Sequence, residues 1–214
     1  MPKSAERRRI VVAAAVVLTS IGLSGVAFAP ALLTYSPLLL IAMSPIPRHL
    51  VLAAPITDPV AFVVVATLRR TIGCTMFYFL GDTFGESGLD WLSKRYPKLR
   101  KLVQWIDRLF KRAGAAVLVV APSPPMSALA GNAQLPLWQF VPAIVVGQAI
   151  WCSLTYWLGD FLGEWTMPFI AWLEENVVST TLACALAVGA FQLFKRYRQR
   201  RRAGGAIQSV LEEP

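Results

Sequence analysis

One stretch of this chain is written twice. Tyr78-Phe79-Leu80-Gly81-Asp82-Thr83-Phe84-Gly85-Glu86 returns as Tyr156-Trp157-Leu158-Gly159-Asp160-Phe161-Leu162-Gly163-Glu164, with Tyr, Leu, Gly, Asp, Gly and Glu in register. Upstream the match continues through Ile72/Ile150, Cys74/Cys152 and Thr75/Ser153. With a shift of one residue it reaches Pro59/Pro136, then Pro45-Ile46-Pro47 against Pro122-Ser123-Pro124, and Ala53-Ala54 against Ala130-Gly131. Whatever one copy builds, the other must build again, so a duplicated architecture is expected.

The copies are apolar. Hydrophobic residues fill 56% of the 214 positions and charged residues 15%, whereas about a quarter of an ordinary soluble domain is charged. At about 20 residues per membrane crossing, four spans are expected: Ile10–Leu33, Val60–Leu80, Leu137–Leu158 and Phe169–Phe194. Two more apolar stretches, Leu38–Ile56 and Ala113–Leu135, are interrupted near their midpoints by Pro45 and Pro47, and by Pro122, Pro124 and Pro125. They are too broken for regular spans and too apolar for loops. Re-entrant hairpins are expected, with protein or a wet cavity covering their freed backbone groups. An apolar helix paired with a proline-broken segment, present twice, is a pattern of small membrane transporters.

Charge sets the orientation. Basic residues gather before the first span (Arg7, Arg8, Arg9), in the linker between the copies, and after the last span (Lys195, Arg196, Arg198). Four spans bring all three clusters to one side, which the positive-inside rule makes cytoplasmic. Asp58, Asp160, Glu164, Glu174 and Glu175 fall on the other side. The two hairpins then enter from opposite faces, making an inverted repeat. Residues 1–9 form a basic cytoplasmic N-terminus, 10–194 one membrane domain, and 195–214 a basic tail, disordered at its end. Within the membrane domain, repeat one covers about 38–86, an amphipathic interfacial linker helix 87–112, repeat two 113–164 and the last span 169–194. Ala27-Phe28-Ala29 resembles a signal-peptide cleavage site, but Pro30 follows and the apolar run continues, so an uncleaved span is expected.

The net charge of +9 is explained by topology and anionic headgroups, and nucleic acid is not expected as a partner. Cys74, Cys152 and Cys184 are read as small apolar fillers. A single histidine, and no phosphate loop, nucleophile elbow or Cys/His cluster at metal spacing, argue against an enzyme, a metal site or a cofactor. Ionisable groups inside a membrane are costly and therefore functional candidates. Arg48 and His49 follow the first Pro-x-Pro, and Arg69 and Arg70 fall mid-span, where guanidinium forks suit a phosphate. Their counterparts in the second copy, Gly147 and Gln148, are uncharged. Asp82 and Asp160 close the two motif copies as candidate gate or proton groups. Ser123, Ser127 and Asn132 could supply neutral donors in the second hairpin.

The order of these parts resembles the DedA family, whose membrane core is also called the SNARE-associated or VTT domain. The resemblance spans roughly Leu38 to Trp165: a Pro-x-Pro hairpin, a span ending Tyr-x-x-Gly-Asp-x-x-Gly, a basic linker, then Gly114, a second hairpin with Ala130-Gly131, and finally Phe140, Trp151 and Tyr156–Gly159. It implies an inner-membrane lipid transporter moving polyisoprenyl phosphates or phospholipids between leaflets. The chain departs from the family where Pro47-Arg48-His49 stands in place of Pro-Gly-Glu. It departs again in Ala121–Ala128, which lacks the two arginines usually flanking a proline.

The expectation is an all-α integral membrane protein of the inner (plasma) membrane with both termini cytoplasmic. It would be a flippase or scramblase for an anionic phospholipid or polyisoprenyl phosphate. Its partners would be membrane lipids, with anionic headgroups at the cytoplasmic face, and a homo-oligomer is compatible with this. The alternatives are a small-ion or solute transporter on the same scaffold, or a non-transporting membrane scaffold.

Overall fold

The computed structural model describes residues 2–95 and 115–211, and side-chain surroundings over 6–85 and 115–195. Its elements are α1 (Pro2–Ala27), α2 (Ala29–Tyr35), α3 (Pro37–Met43), α4 (Pro47–Ala53) with a 3-10 turn (Ala54–Ile56), α5 (Pro59–Arg95), α6 (Ala116–Val120), α7 (Pro124–Asn132), α8 (Leu137–Phe161), α9 (Gly163–Glu175) and α10 (Val177–Leu211). No strand occurs among the described residues. Four segments are long and apolar enough to cross a membrane: Glu6–Ala27, Pro59–Gly85, Leu137–Phe161 and Val177–Lys195.

Proline decides where the short helices begin and end. In each broken segment the first proline of Pro-x-Pro, Pro45 or Pro122, lies in the gap, and the second, Pro47 or Pro124, opens the next helix. A proline has no N–H to donate, and at a helix's first position none is needed. The apolar run expected to cross at Ile10–Leu33 is cut in the same way, since Pro30 cannot continue α1 and α2 starts afresh. The last span begins later than expected. The expected span runs across Glu174, Glu175 and Asn176, but α9 ends at Glu175, where Asn176 caps it by donating from Nδ2 to the Trp172 carbonyl at 3.0 Å. Residues 87–95, expected in the linker, continue α5, and α10 continues through the expected tail to Leu211. The remainder of the interfacial helix expected over 87–112 lies outside the described residues.

α5 and α8 form the centre and run antiparallel. Phe62 meets Tyr156 edge-on at 5.2 Å between ring centroids, Arg70 meets Gln148, and Tyr78 meets Phe140 at 4.5 Å. The broken segments pack crosswise: α7, from the second copy, lies on α5, and α4, from the first, lies on α8. Glycine permits this. A Cβ at Gly81 would fall 1.9 Å from the Ala128 carbonyl oxygen, and one at Gly159 would fall 2.8 Å from that of Val51. Two buried cores result, one around Leu40, Leu50, Phe62 and Cys152, the other around Cys74, Leu118, Phe140 and Ile144. α1 and α10 stand outside this unit, α10 packing on α1 and α2.

Candidate functional site

Each broken segment exposes carbonyls that an unbroken helix would have used, and unpaired carbonyls in an apolar interior cost several kcal/mol each. Donors on the span that follows resolve this. At the first gap, Arg69 on α5 donates from Nε to the Ala42 carbonyl at 2.8 Å and from Nη2 to that of Met43 at 3.2 Å. His49 Nδ1 lies 3.0 Å from the Ser44 carbonyl. Because a carbonyl only accepts, Nδ1 carries the proton. At the second gap, Trp151 on α8 donates from Nε1 to the Val120 carbonyl at 3.0 Å. Gln148, fully buried, donates from Nε2 to that of Pro122 at 2.9 Å.

Gln148 also joins the halves. Its Oε1 accepts from Arg70 Nε at 2.6 Å, and its Nε2 lies 3.3 Å from the Cys74 sulfur. Positions 70 and 148 are equivalent in the two copies, and here they touch. A charged mid-span guanidinium thus finds a neutral acceptor. Ser127, fully buried, donates to the Ser123 carbonyl at 3.0 Å. Asn132 packs against Gly85. The second-segment candidates are therefore held within the fold, as are Arg69 and Arg70.

Arg48 differs. It is exposed, makes no hydrogen bond or ion pair among the described residues, and lines a cavity of about 390 Å³ with His49. The cavity lies between α2, α4, α9 and α10, and Leu33, Leu52, Phe169 and Trp172 make its walls apolar. The candidate acids part company too. Asp82 pairs with Arg7 on α1, and the neighbouring Arg8 guanidinium sits over the Phe84 ring at 5.6 Å. Asp160 is exposed and without a partner among the described residues. The structure therefore gathers His49 and Arg69 at the first gap, leaves Arg48 beside His49 on the cavity wall, and holds Arg70 on Gln148 and Asp82 on Arg7. Sequence reasoning missed Trp151 as a carbonyl cap, Arg7 as a partner of Asp82, and Gln148 as the partner of Arg70 and the Pro122 carbonyl. Only Gln148 left a signal, its register with Arg70.

The Arg7–Asp82 pair is half exposed, with side-chain exposures of 55% and 20%, so solvent screens it. Arg7→Gln is expected to cost less than about 1 kcal/mol. Thermal unfolding in micelles should register this difference at low salt and lose it at high salt.

These features define a multi-pass, all-helical membrane protein built on two proline-broken segments and two central glycine-bearing helices. The family model of the VTT domain matches residues 44–161, more than half of the chain. The chain belongs to this family, the DedA family whose motifs it carries. No curated protein and no solved structure matches it.

Proposed function

We propose that the protein moves an anionic lipid, a phospholipid or a polyisoprenyl phosphate, between the leaflets of the inner membrane. The observation that carries this is Arg48, unpaired among the described residues, at the wall of an apolar cavity of about 390 Å³. A guanidinium fork takes a phosphate bidentately, while Leu52 and Trp172 offer surface to a hydrocarbon chain. The two broken segments act as re-entrant hairpins from opposite faces. Supporting this inverted repeat, the contacts exchange under the sequence repeat: Phe62–Tyr156 becomes Phe140–Tyr78, and Gly81–Ala128 becomes Gly159–Val51. Both basic ends face the cytoplasm, with Asp82 and Arg7 as a latch at that face and Asp160 as its open counterpart.

The test is lipid crossing in proteoliposomes with labelled phosphatidylglycerol or polyisoprenyl phosphate, with and without a proton gradient. Arg48→Gln is expected to slow crossing about ten- to a hundredfold, the value of one charge-assisted hydrogen bond. Crossing that ignores the gradient identifies a scramblase; accumulation driven by it shows coupling, with Asp82 and Asp160 the first residues to substitute. If the protein moves no lipid, or Arg48→Gln moves lipid as fast as the native chain, this reading is wrong.

A further inference from the structure

A second cavity, of about 560 Å³, lies between α1, α5 and α10, where Val16, Thr19 and Ser20 face Leu80 and Gln192. It belongs to the opposite half of the molecule from the Arg48 cavity, yet the two share the same pair of helices. On α10, Thr180, Cys184 and Val188 line the Arg48 cavity and Gln192 lines the second. Positions four apart fall on one helical face, so this is a single stripe. On α1 the second cavity takes Val12, Val16, Thr19 and Leu23, and the Arg48 cavity takes Val26, again on one face. Between them lies one helical turn, roughly 5.4 Å.

The stripe ends in charge. Arg9 stands three residues before Val12 and Lys195 three after Gln192, both exposed and without an ion-pair partner among the described residues. Arg48 occupies the other end. A groove with cations at both mouths, hydroxyl and amide groups between and apolar walls throughout matches a molecule with one anionic head and long apolar tails. We infer that the seam between α1 and α10 is a lipid groove running from one leaflet to the other. A phospholipid phosphate enters it at Arg9 and Lys195, passes Gln192, and reaches Arg48, while the Thr19 and Ser20 hydroxyls line the wall and donate to the Ala15 and Val16 carbonyls of α1. This rests on the transport reading above and assigns its path to the peripheral seam. The polar contacts between α5 and α8 are left as structural, since their donors are already spent on the gap carbonyls and on Gln148.

The experiment places tryptophan on either face of α10 in the full chain, with crossing of labelled phosphatidylglycerol as the readout. Ala187→Trp and Gln192→Trp fill the seam; Leu186→Trp and Leu193→Trp, at positions 72% and 68% exposed, serve as controls. Seam variants are expected to slow crossing about tenfold or more, equivalent to about 1.4 kcal/mol, with controls close to the native chain. Equal crossing in both sets overturns the seam and leaves transport standing. If the native chain moves no lipid, transport fails first, and native mass spectrometry then decides the groove. Phosphatidylglycerol retained by the native chain and displaced by Ala187→Trp upholds it, and equal retention overturns it. Should tryptophan impair folding, Thr19→Val combined with Gln192→Leu keeps volume and removes the polar steps. Unchanged crossing in that pair also overturns the proposal.

Discussion

Gln148→Arg is expected to destabilise the protein more than any other single change of charge. It would set a second guanidinium beside that of Arg70, whose Nε now bonds Gln148 Oε1 at 2.6 Å. Two like charges about 4 Å apart repel by about 4 kcal/mol at the effective dielectric of 20 suited to protein sites, and Gln148 is fully buried. The exchange Arg70→Gln with Gln148→Arg restores one charge and one amide and should recover most of the loss. The four proteins make a double-mutant cycle, read as unfolding temperature and monodisperse yield in detergent. A Gln148→Arg protein as stable as the native chain would show that these residues do not meet. The same geometry explains why the halves differ here. Two arginines at these touching positions would need a counter-ion, and none lies between them among the described residues; glutamine at 148 removes that need.

Gly81→Ala and Gly131→Ala should each cost more than about 3 kcal/mol, the upper range for overpacking. The added carbon would lie 1.9 Å from the Ala128 oxygen in one case and 2.0 Å from the Tyr78 oxygen in the other, and backbone rather than side chain would have to move. Gly159→Ala should cost less, because its nearest obstacles, the Ala54 Cβ at 2.6 Å and the Val51 oxygen at 2.8 Å, stand farther off and need a smaller backbone shift. Gly189→Ala, with nothing within 4 Å, should be neutral or gain up to about 1 kcal/mol from helix propensity. Unfolding followed by circular dichroism ranks the four. Equal effects at Gly81 and Gly189 would sink the close-packing account.

Much of this fold could be read from residue types because membrane spans and proline breaks are local properties. The starts of α5 and α8 follow from apolar runs behind Pro59 and Pro136, and the gaps from Pro45 and Pro122. The end of α9 at Glu175 was legible in the polar Glu174-Glu175-Asn176 step, which the span expected over Phe169–Phe194 overran. The roles of Arg69 and Arg70 were legible only as candidates. Whether a mid-span arginine holds a ligand or a carbonyl depends on which backbone faces it, and α3 approaches Arg69 through tertiary packing. Arg48 presented the reverse case. Expected as a phosphate ligand on the same grounds, it makes no hydrogen bond or ion pair among the described residues and lines a cavity between α2, α4, α9 and α10.

The crosswise seating of α7 on α5 also bears on how the chain is made. Gly81 and Ala128, which touch in the finished protein, are separated by 47 residues of synthesis (128 less 81). At about 5–20 residues per second, the small-residue face of α5 waits some seconds for its mate after emerging from the ribosome. During that interval lipid, or a holding protein of the insertion machinery, must cover it. Truncation after the first copy would leave that face open permanently, so the first half is not a folding unit in its own right.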